Sequence, residues 1–173
     1  TLFFIPHIKA SAGDLAMSYR LTHETPDALD AINQVLASSI TAWQLSDRLY
    51  RLSVNAYRYR HSDWIDHQFY GLRNENNTLV AILVVNEDSS DLPDDHQCLQ
   101  IQGLFIGQDH QKRRLGSRLI HEAVQVALDQ GLELLLVKAH ESAVSFFEHL
   151  GFHRIPVTDE VRDYPYRLVR SVI

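Results

Sequence analysis

The sequence predicts an α/β domain built on a mixed sheet, and three observations carry that prediction. Apolar residues recur with helical period from about Leu29 to Ala56, then give way to β-rich runs between Gln68 and Ile106. A second helical stripe, Leu115, Leu119, Ala123 and Val126, leads into the apolar run Leu132 to Val137, which suits a strand covered on both faces. No repeat, low-complexity tract or Pro/Gly-rich linker divides the chain, so one domain from Met17 to Ile173 is expected.

The elements follow in order. Met17 to Leu21 is strand-like. Thr25-Pro26 reads as N-cap and first position of a helix with Leu29, Ile32 and Leu36 on its inner face. A second helix should bury Leu45, Leu49, Leu52 and Ala56, at i, i+4, i+7 and i+11. Gln68 to Leu72 and Thr78 to Val85 flank the turn-forming Arg73 to Asn77 and form an antiparallel hairpin. A polar loop, Asn86 to Gln97, carries Asp88, Asp91, Asp94 and Asp95 and precedes a strand from Cys98 to Ile106. After the Leu115 helix, Gly131 is the stop signal; a short helix from Glu141 to Leu150 ends before Gly151. Phe152 to Val157 and Tyr164 to Val172 complete the order β-α-α-β-β-β-α-β-α-β-β.

At 173 residues the chain can bury a real core without staples. A net charge of −6 argues against a broad nucleic-acid-binding face. No apolar run approaches the roughly 20 residues that cross a bilayer, so no membrane partner is expected. The single cysteine, Cys98, forms no intrachain disulfide and fits a reducing cytoplasm; it reads as a packing residue at a strand start. Thr1 to Ala16 reads as an upstream extension or vector-derived segment, because the apolar patch Leu2 to Ile5 is too short for a signal-peptide core.

The segment Asp109 to Val124, DHQKRRLGSRLIHEAV, places Lys112, Arg113, Arg114 and Gly116 at the front of a helix that follows a strand. A strand running into a helix points unpaired N–H groups and the positive end of the dipole outward, a place that suits a phosphate. Taken alone, three basic residues are more often a solvated face.

Two motifs together change that balance. LFIGQDHQKRRLGSRL resembles the coenzyme A loop of the GNAT superfamily of N-acetyltransferases, whose pattern is Gln/Arg-x-x-Gly-x-Gly/Ala after an apolar strand; Gln111 and Gly116 match its ends. HESAVSFFEHLGF, residues 140 to 152, resembles the closing motif of the same family at Ala143, Phe146, Gly151 and Phe152. The resemblance implies a GNAT-like sheet splayed between the Cys98 and Leu132 strands, with acetyl-CoA in the splay. It further implies that the main chain of Leu104, Phe105 and Ile106 pairs with the pantetheine arm, while amides from Gln111 through Lys112, Arg113, Arg114, Leu115 and Gly116 to Ser117 hold the pyrophosphate.

Three positions depart from the pattern. Arg114 stands where the motif has its middle glycine; a left-handed backbone there would cost about 1–2 kcal/mol, so the loop is expected to stay right-handed. Phe147 stands where many members have a tyrosine that protonates the departing thiolate. A thiol of pKa about 8.5 remains a tolerable leaving group beside an alkylammonium of about 10.4, and general acid help is worth about 10²- to 10⁴-fold. Gln100 aligns with a position where relatives carry a glutamate base, and an amide cannot take a proton at neutral pH.

His140, at the end of the Leu132 strand, has a pKa range suited to proton transfer; its ordinary role would be to cap the next helix. His110 reads as a surface residue near the phosphate loop. Tyr57, Tyr59, Trp64 and Tyr70 form a candidate aromatic wall for an amine acceptor, or else ordinary half-buried aromatics. His61, Asp63, Asp66 and His67 match no metal motif with a fixed mechanism, and no metal is expected.

The sequence therefore leads to an acetyl-CoA-dependent N-acetyltransferase acting on a small-molecule or protein amine by direct attack, without an acyl-enzyme. The alternative is a catalytically silent coenzyme A-binding or regulatory module. The apolar C-terminal strand offers a surface for homodimer pairing.

Overall fold

In the computed structural model, which describes residues 18–88, 92 and 96–173, seven strands form one sheet in the order β1-β2-β3-β4-β5-β7-β6. They are β1 (Arg20–Glu24), β2 (Gln68–Arg73), β3 (Leu79–Asp88), β4 (Cys98–Ile106), β5 (Leu134–Lys138), β6 (His153–Arg154) and β7 (Arg167–Ser171). The helices are α1 (Leu29–Thr41), α2 (Asp47–Tyr57), α3 (Leu115–Asp129) and α4 (Val144–His149), giving the chain order expected from the sequence. Thr1 to Ala16 and Asp91, Asp94 and Asp95 lie outside the described residues.

Every strand pair is antiparallel except β4 with β5. That exception follows from the chain path, since α3 carries the chain back over the sheet between the two strands. Strand β3 from Leu79 to Val85 is buried throughout because helices cover both faces. On one face Ile32, Leu36 and Ile40 of α1 pack on Phe69, Ile82, Val84 and Phe105. On the other, Leu115, Leu119 and Ala123 of α3 and Phe147 of α4 pack on Leu83, Leu104, Leu135 and Val137. Each fully buried side chain of this size contributes about 1.5–3 kcal/mol.

Both long-range turns out of helices use a left-handed glycine. Gly131 (φ +71°) lets Leu132 N–H reach the Ala127 carbonyl, and Gly151 (φ +84°) lets Phe152 N–H reach that of Phe147. Capping consumes Leu132, so β5 starts two residues later than its apolar run suggests. Thr25 occupies the expected cap position, but a short 3-10 turn, Pro26–Ala28, precedes α1 and the Thr25 hydroxyl caps nothing.

The inner face of α2 differs from the expectation. Leu49 and Leu52 are 52% and 55% exposed and Ala56 is exposed, whereas Tyr50, Val54 and Tyr57 pack against the α1-side core. The aromatic stripe has the same helical spacing and offers more area to bury. It also satisfies its polar handle, since the Tyr50 hydroxyl donates to the Ala37 carbonyl at 3.2 Å.

At the β1 edge, Glu24 is 5% exposed and is held bidentately by Arg73, Nε to Oε1 at 2.9 Å and Nη2 to Oε2 at 2.7 Å. The Thr22 hydroxyl donates to the same carboxylate. Burial alone would raise this carboxyl, but the hydrogen bonds from Arg73 and Thr22 and the guanidinium charge outweigh it and leave it below the ordinary value.

Candidate active site

Strands β4 and β5 pair over three residues only, Leu99 with Leu135, Gln100 with Leu136 and Ile101 with Val137. Beyond that point β4 stays paired with β3 as far as Ile106, while its β5 side from Gln102 to Ile106 has no strand against it among the described residues. Two local features accompany the parting. A bulge at Gln102 shifts the β3–β4 register, so that Val84 faces Gly103 and Val85 faces Ile101. On the other side, Ala139 next to the end of β5 gives its N–H to the Tyr166 carbonyl at 3.0 Å and accepts from the Tyr164 hydroxyl at 2.9 Å. Both main-chain groups of Ala139 are thereby committed away from β4. Leu104, Phe105 and Ile106, expected to line the splay, lie along the open stretch of β4.

The basic loop closes the mouth of this opening. After β4 comes a 3-10 turn, Gln108–His110, and the Gln111 side chain reaches back to the Ile106 carbonyl at 3.1 Å. Lys112 (φ +64°) and Arg114 (φ +60°) are both left-handed, so the expectation of a right-handed loop is overturned. The reason is geometric. The helix starts at Leu115 directly behind Arg114, and a two-step left-handed turn brings the chain round into it, at about 1–2 kcal/mol for each non-glycine residue. Among the described residues no side chain caps α3, whose first intrahelical bond runs from Arg118 N–H to the Arg114 carbonyl. The N–H groups of Arg114, Leu115, Gly116 and Ser117 therefore have no intrahelical acceptor and point out of the helix start. Such a turn with a helix dipole behind it is an anion-binding concavity.

His110 and Arg113 flank it. The Tyr19 hydroxyl lies 3.3 Å from His110 Nδ1 and accepts from Arg113 Nη1 at 3.3 Å. Burial and then the Arg113 charge lower the His110 pKa against the opposing Asp109, which favours the neutral imidazole. Tyr19 was not singled out from the sequence; only its strand-like surroundings were legible.

At the end of β5, His140 accepts from Ser142 N–H at 3.3 Å and its Nδ1 lies 2.8 Å from the Ser142 hydroxyl, so it caps the turn that leads into α4. Phe147 is fully buried, edge-on to Phe146 and Phe152.

The four aromatic candidates do not form one wall. Tyr57, Tyr59 and Trp64 belong to the α1/α2 face, where Trp64 stacks on Phe69 at 3.9 Å and its Nε1–H donates to the Glu24 carbonyl. Tyr70 is on the opposite face, stacked on His23, with its hydroxyl donating to Gln68. The two-residue period of β2 separates Tyr70 from its neighbour Phe69. Burial and then the Tyr164 phenol, from the β6–β7 connection, raise the Tyr57 phenol above its ordinary value.

Tyr59 is fixed with unusual care for a loop residue. Asn33 of α1 accepts from its N–H at 2.8 Å and donates to its carbonyl at 3.0 Å. The ring is edge-on to Phe69, and the hydroxyl rests on Gly103, where a Cβ would overlap it. Burial, then the Asp63 charge, raise the phenol well above the ordinary tyrosine range. Gln100 lies on this same face, because Asn86 opposite it alternates with Val84 and Ile82. It is 4% exposed, and its Oε1 has no hydrogen-bond partner among the described residues. Gln102 takes the neighbouring acceptor, donating Nε2–H to Asn86 Oδ1 at 2.8 Å.

Comparison with known proteins identifies the arrangement. Residues 37–152 match the Acetyltransferase (GNAT) family. PaiA N-acetyltransferase from Thermoplasma acidophilum, solved in complex with coenzyme A, is 16% identical with a TM-score of 0.66, over 90% of this chain and 99% of that one. The GNAT family N-acetyltransferase YhbS from Escherichia coli, also in complex with CoA, is 15% identical with a TM-score of 0.65, over 94% and 86%. A GCN5-related N-acetyltransferase from Rhodopseudomonas palustris is 18% identical with a TM-score of 0.63, over 92% and 99%. No curated protein sequence matches the chain. The family match spans the opened strands, the uncapped helix start and the closing helix, and the chain belongs to the GNAT acetyltransferase family.

Proposed function

We propose that the protein transfers an acetyl group from acetyl-CoA to a primary amine, which attacks the thioester directly in a ternary complex. The observation that carries this reading is the parting of β4 from β5 after Ile101 and Val137, with the uncapped start of α3 at its mouth. The residues fit the cofactor: Leu104 to Ile106 have no described strand on their β5 side, although Gln111 already holds the Ile106 carbonyl, and the amides of Arg114 to Ser117 have no acceptor within the helix. Lys112, Arg113 and Arg114 add charge that suits a pyrophosphate. When bound, acetyl-CoA supplies an activated acetyl group on a thiol of pKa about 8.5, a leaving group that needs little help.

This chain's residues then position rather than activate. Open β4 amides would orient the thioester carbonyl, and the α1/α2-side aromatics Tyr57, Tyr59 and Trp64, with Tyr164, would border the acceptor. His140 Nδ1 is engaged as a cap, so the reading gives it no proton-transfer step. One reducing cytoplasmic domain from Met17, with a small-molecule or protein amine as partner and no metal, completes the proposal. Homodimer formation stays part of it, although β7 lies between β5 and β6 rather than at an edge.

The silent-module reading is favoured by one feature, a fully buried Phe147 that presents no hydroxyl. Thiol release from acetyl-CoA with a panel of amines, measured beside calorimetric coenzyme A binding, separates the two. Turnover on any amine supports acetyl transfer, and binding without turnover supports the module.

A further inference from the structure

Gln100 and Tyr59 present two polar atoms, on one face of the sheet, that nothing among the described residues satisfies. The Gln100 carbonyl oxygen is buried without a partner among the described residues, and the hydrogen bonds Tyr59 makes among them run through its backbone, not its hydroxyl. Their placement is informative. The anion-binding helix start belongs to α3, which packs on the opposite face, so a ligand entering there and passing between β4 and β5 emerges toward α1 and α2. Gln100 is one residue before the last β4–β5 pair, and Tyr59 sits over Gly103 just past the bulge. The two groups therefore bracket the point at which the strands part.

Neither group can take up a proton. An amide oxygen accepts a hydrogen bond only, and a phenol with its pKa raised by burial remains a donor. Glu24, the carboxylate opposite Phe69 on this face, is held by Arg73. Asp63 beside Tyr59 accepts from Arg60 N–H, and in the row beyond Leu136 stand Lys138 and Arg167, the latter paired with Asp163. Around Gln100, Asn86, Gln102 and Leu136 are uncharged. At Gln100 itself an alkylammonium would meet no carboxylate on the flanking residues Asn86, Gln102 and Leu136 to discharge it.

We propose that the acceptor is a small, weakly basic amine of aromatic or α-amino type, received uncharged, with Gln100 Oε1 accepting its N–H and the Tyr59 hydroxyl donating to the acetyl carbonyl. This rests on the acetyl-transfer reading. The chemistry balances without a base. The amine lone pair forms the C–N bond, the C–S bond breaks with its electron pair going to sulfur, and one proton passes from nitrogen to sulfur to leave an amide and a free thiol. The substrate class follows from populations: at pH 7 about 1 in 2,500 molecules of an alkylamine is free base, against about 1 in 10 of an α-amine and nearly all of an aromatic amine.

The test uses 4-methylaniline, glycinamide and benzylamine as acceptors between pH 6 and 9, following thiol release, with coenzyme A binding measured in parallel. For the unaltered protein, kcat/KM at pH 7 should be at least tenfold higher for glycinamide and 4-methylaniline than for benzylamine, flat with pH for the aromatic amine and rising about tenfold per unit for benzylamine. Gln100→Leu should keep or raise the melting temperature while lowering kcat/KM at least tenfold with coenzyme A affinity unchanged. Gln100→Glu should shift the preference toward benzylamine, and Tyr59→Phe should lower kcat more than it changes KM. Equal or better use of benzylamine at pH 7, or full activity in Gln100→Leu, overturns this inference and leaves acetyl transfer standing. Failure to bind coenzyme A overturns both.

Discussion

The Tyr59 hydroxyl rests against the Cα of Gly103, close enough that any side chain at position 103 would collide with it. The contact links the end of α2 to the bulged part of β4, and Asn33 holds the tyrosine backbone at both its N–H and carbonyl. Gly103→Ala must therefore displace the ring or the strand. A loss of about 1–3 kcal/mol is expected in urea denaturation, and Tyr59→Phe in the same background should recover part of it by removing the colliding oxygen.

Arg73 is the partner that keeps Glu24 ionised in a site that is 5% exposed. Arg73→Met should cost about 3 kcal/mol, because it strands a buried carboxylate. The pH dependence has a definite sign. The folded pKa of Glu24 lies below 4.5, so its contribution is present above that value and is lost as pH falls through the folded value. Denaturation midpoints measured from pH 7 down to pH 3 should fall for the native protein, and the variant should lose this part of the dependence.

At Arg114 the left-handed backbone is borne by a residue with a Cβ. Arg114→Gly should stabilise the fold by roughly 0.5–1 kcal/mol in thermal denaturation. Coenzyme A affinity, read by calorimetry, should fall no more than about fivefold, since one exposed charge is worth about 0.3–1 kcal/mol near a helix N-terminus.

Phe147 is packed between Phe146 and Phe152 with no exposure. A hydroxyl placed there is buried among apolar neighbours. Phe147→Tyr is expected to cost about 1–3 kcal/mol and to bring no gain in turnover. Higher activity in this variant would show that the ring can swing toward the thioester.

His140→Ala removes the acceptor that caps the turn before α4. Stability should fall by about 1 kcal/mol, and kcat should change by less than tenfold with no altered pH profile. A lost basic or acidic limb in that profile would assign the imidazole a proton-transfer role.

The order of elements was legible because each strand and helix carries its own period, and the anion site was legible because a basic helix start follows an apolar strand. The inner face of α2 was not. Leu49, Leu52 and Ala56 follow a stripe offset by one residue from the competing Tyr50, Val54 and Tyr57, and only the position of α1 and Trp43 decides between the two, while Leu45 packs against the core as expected. The backbone at Arg114 was misread because steric preference argues against a left-handed arginine, whereas the tight entry into α3 demands it. Tyr70 was grouped with Tyr57 and Tyr59 by proximity in sequence, but alternation along β2 sends it to the far face. Asn33 and Tyr164 gave no signal, since their roles depend on contacts 26 and 25 residues away.

The sheet is in effect two rafts, β1 to β4 and β5 to β7, joined by a seam of three parallel pairs and bridged by α3. So narrow a join is the weakest line along which the fold can come apart, and amide exchange across β5 and β7 should be quicker than across β2 and β3. A molecule threaded between the rafts acts as a staple: it binds only the joined state, and saturating it at 100 times its dissociation constant adds about 2.7 kcal/mol to the resistance of that seam.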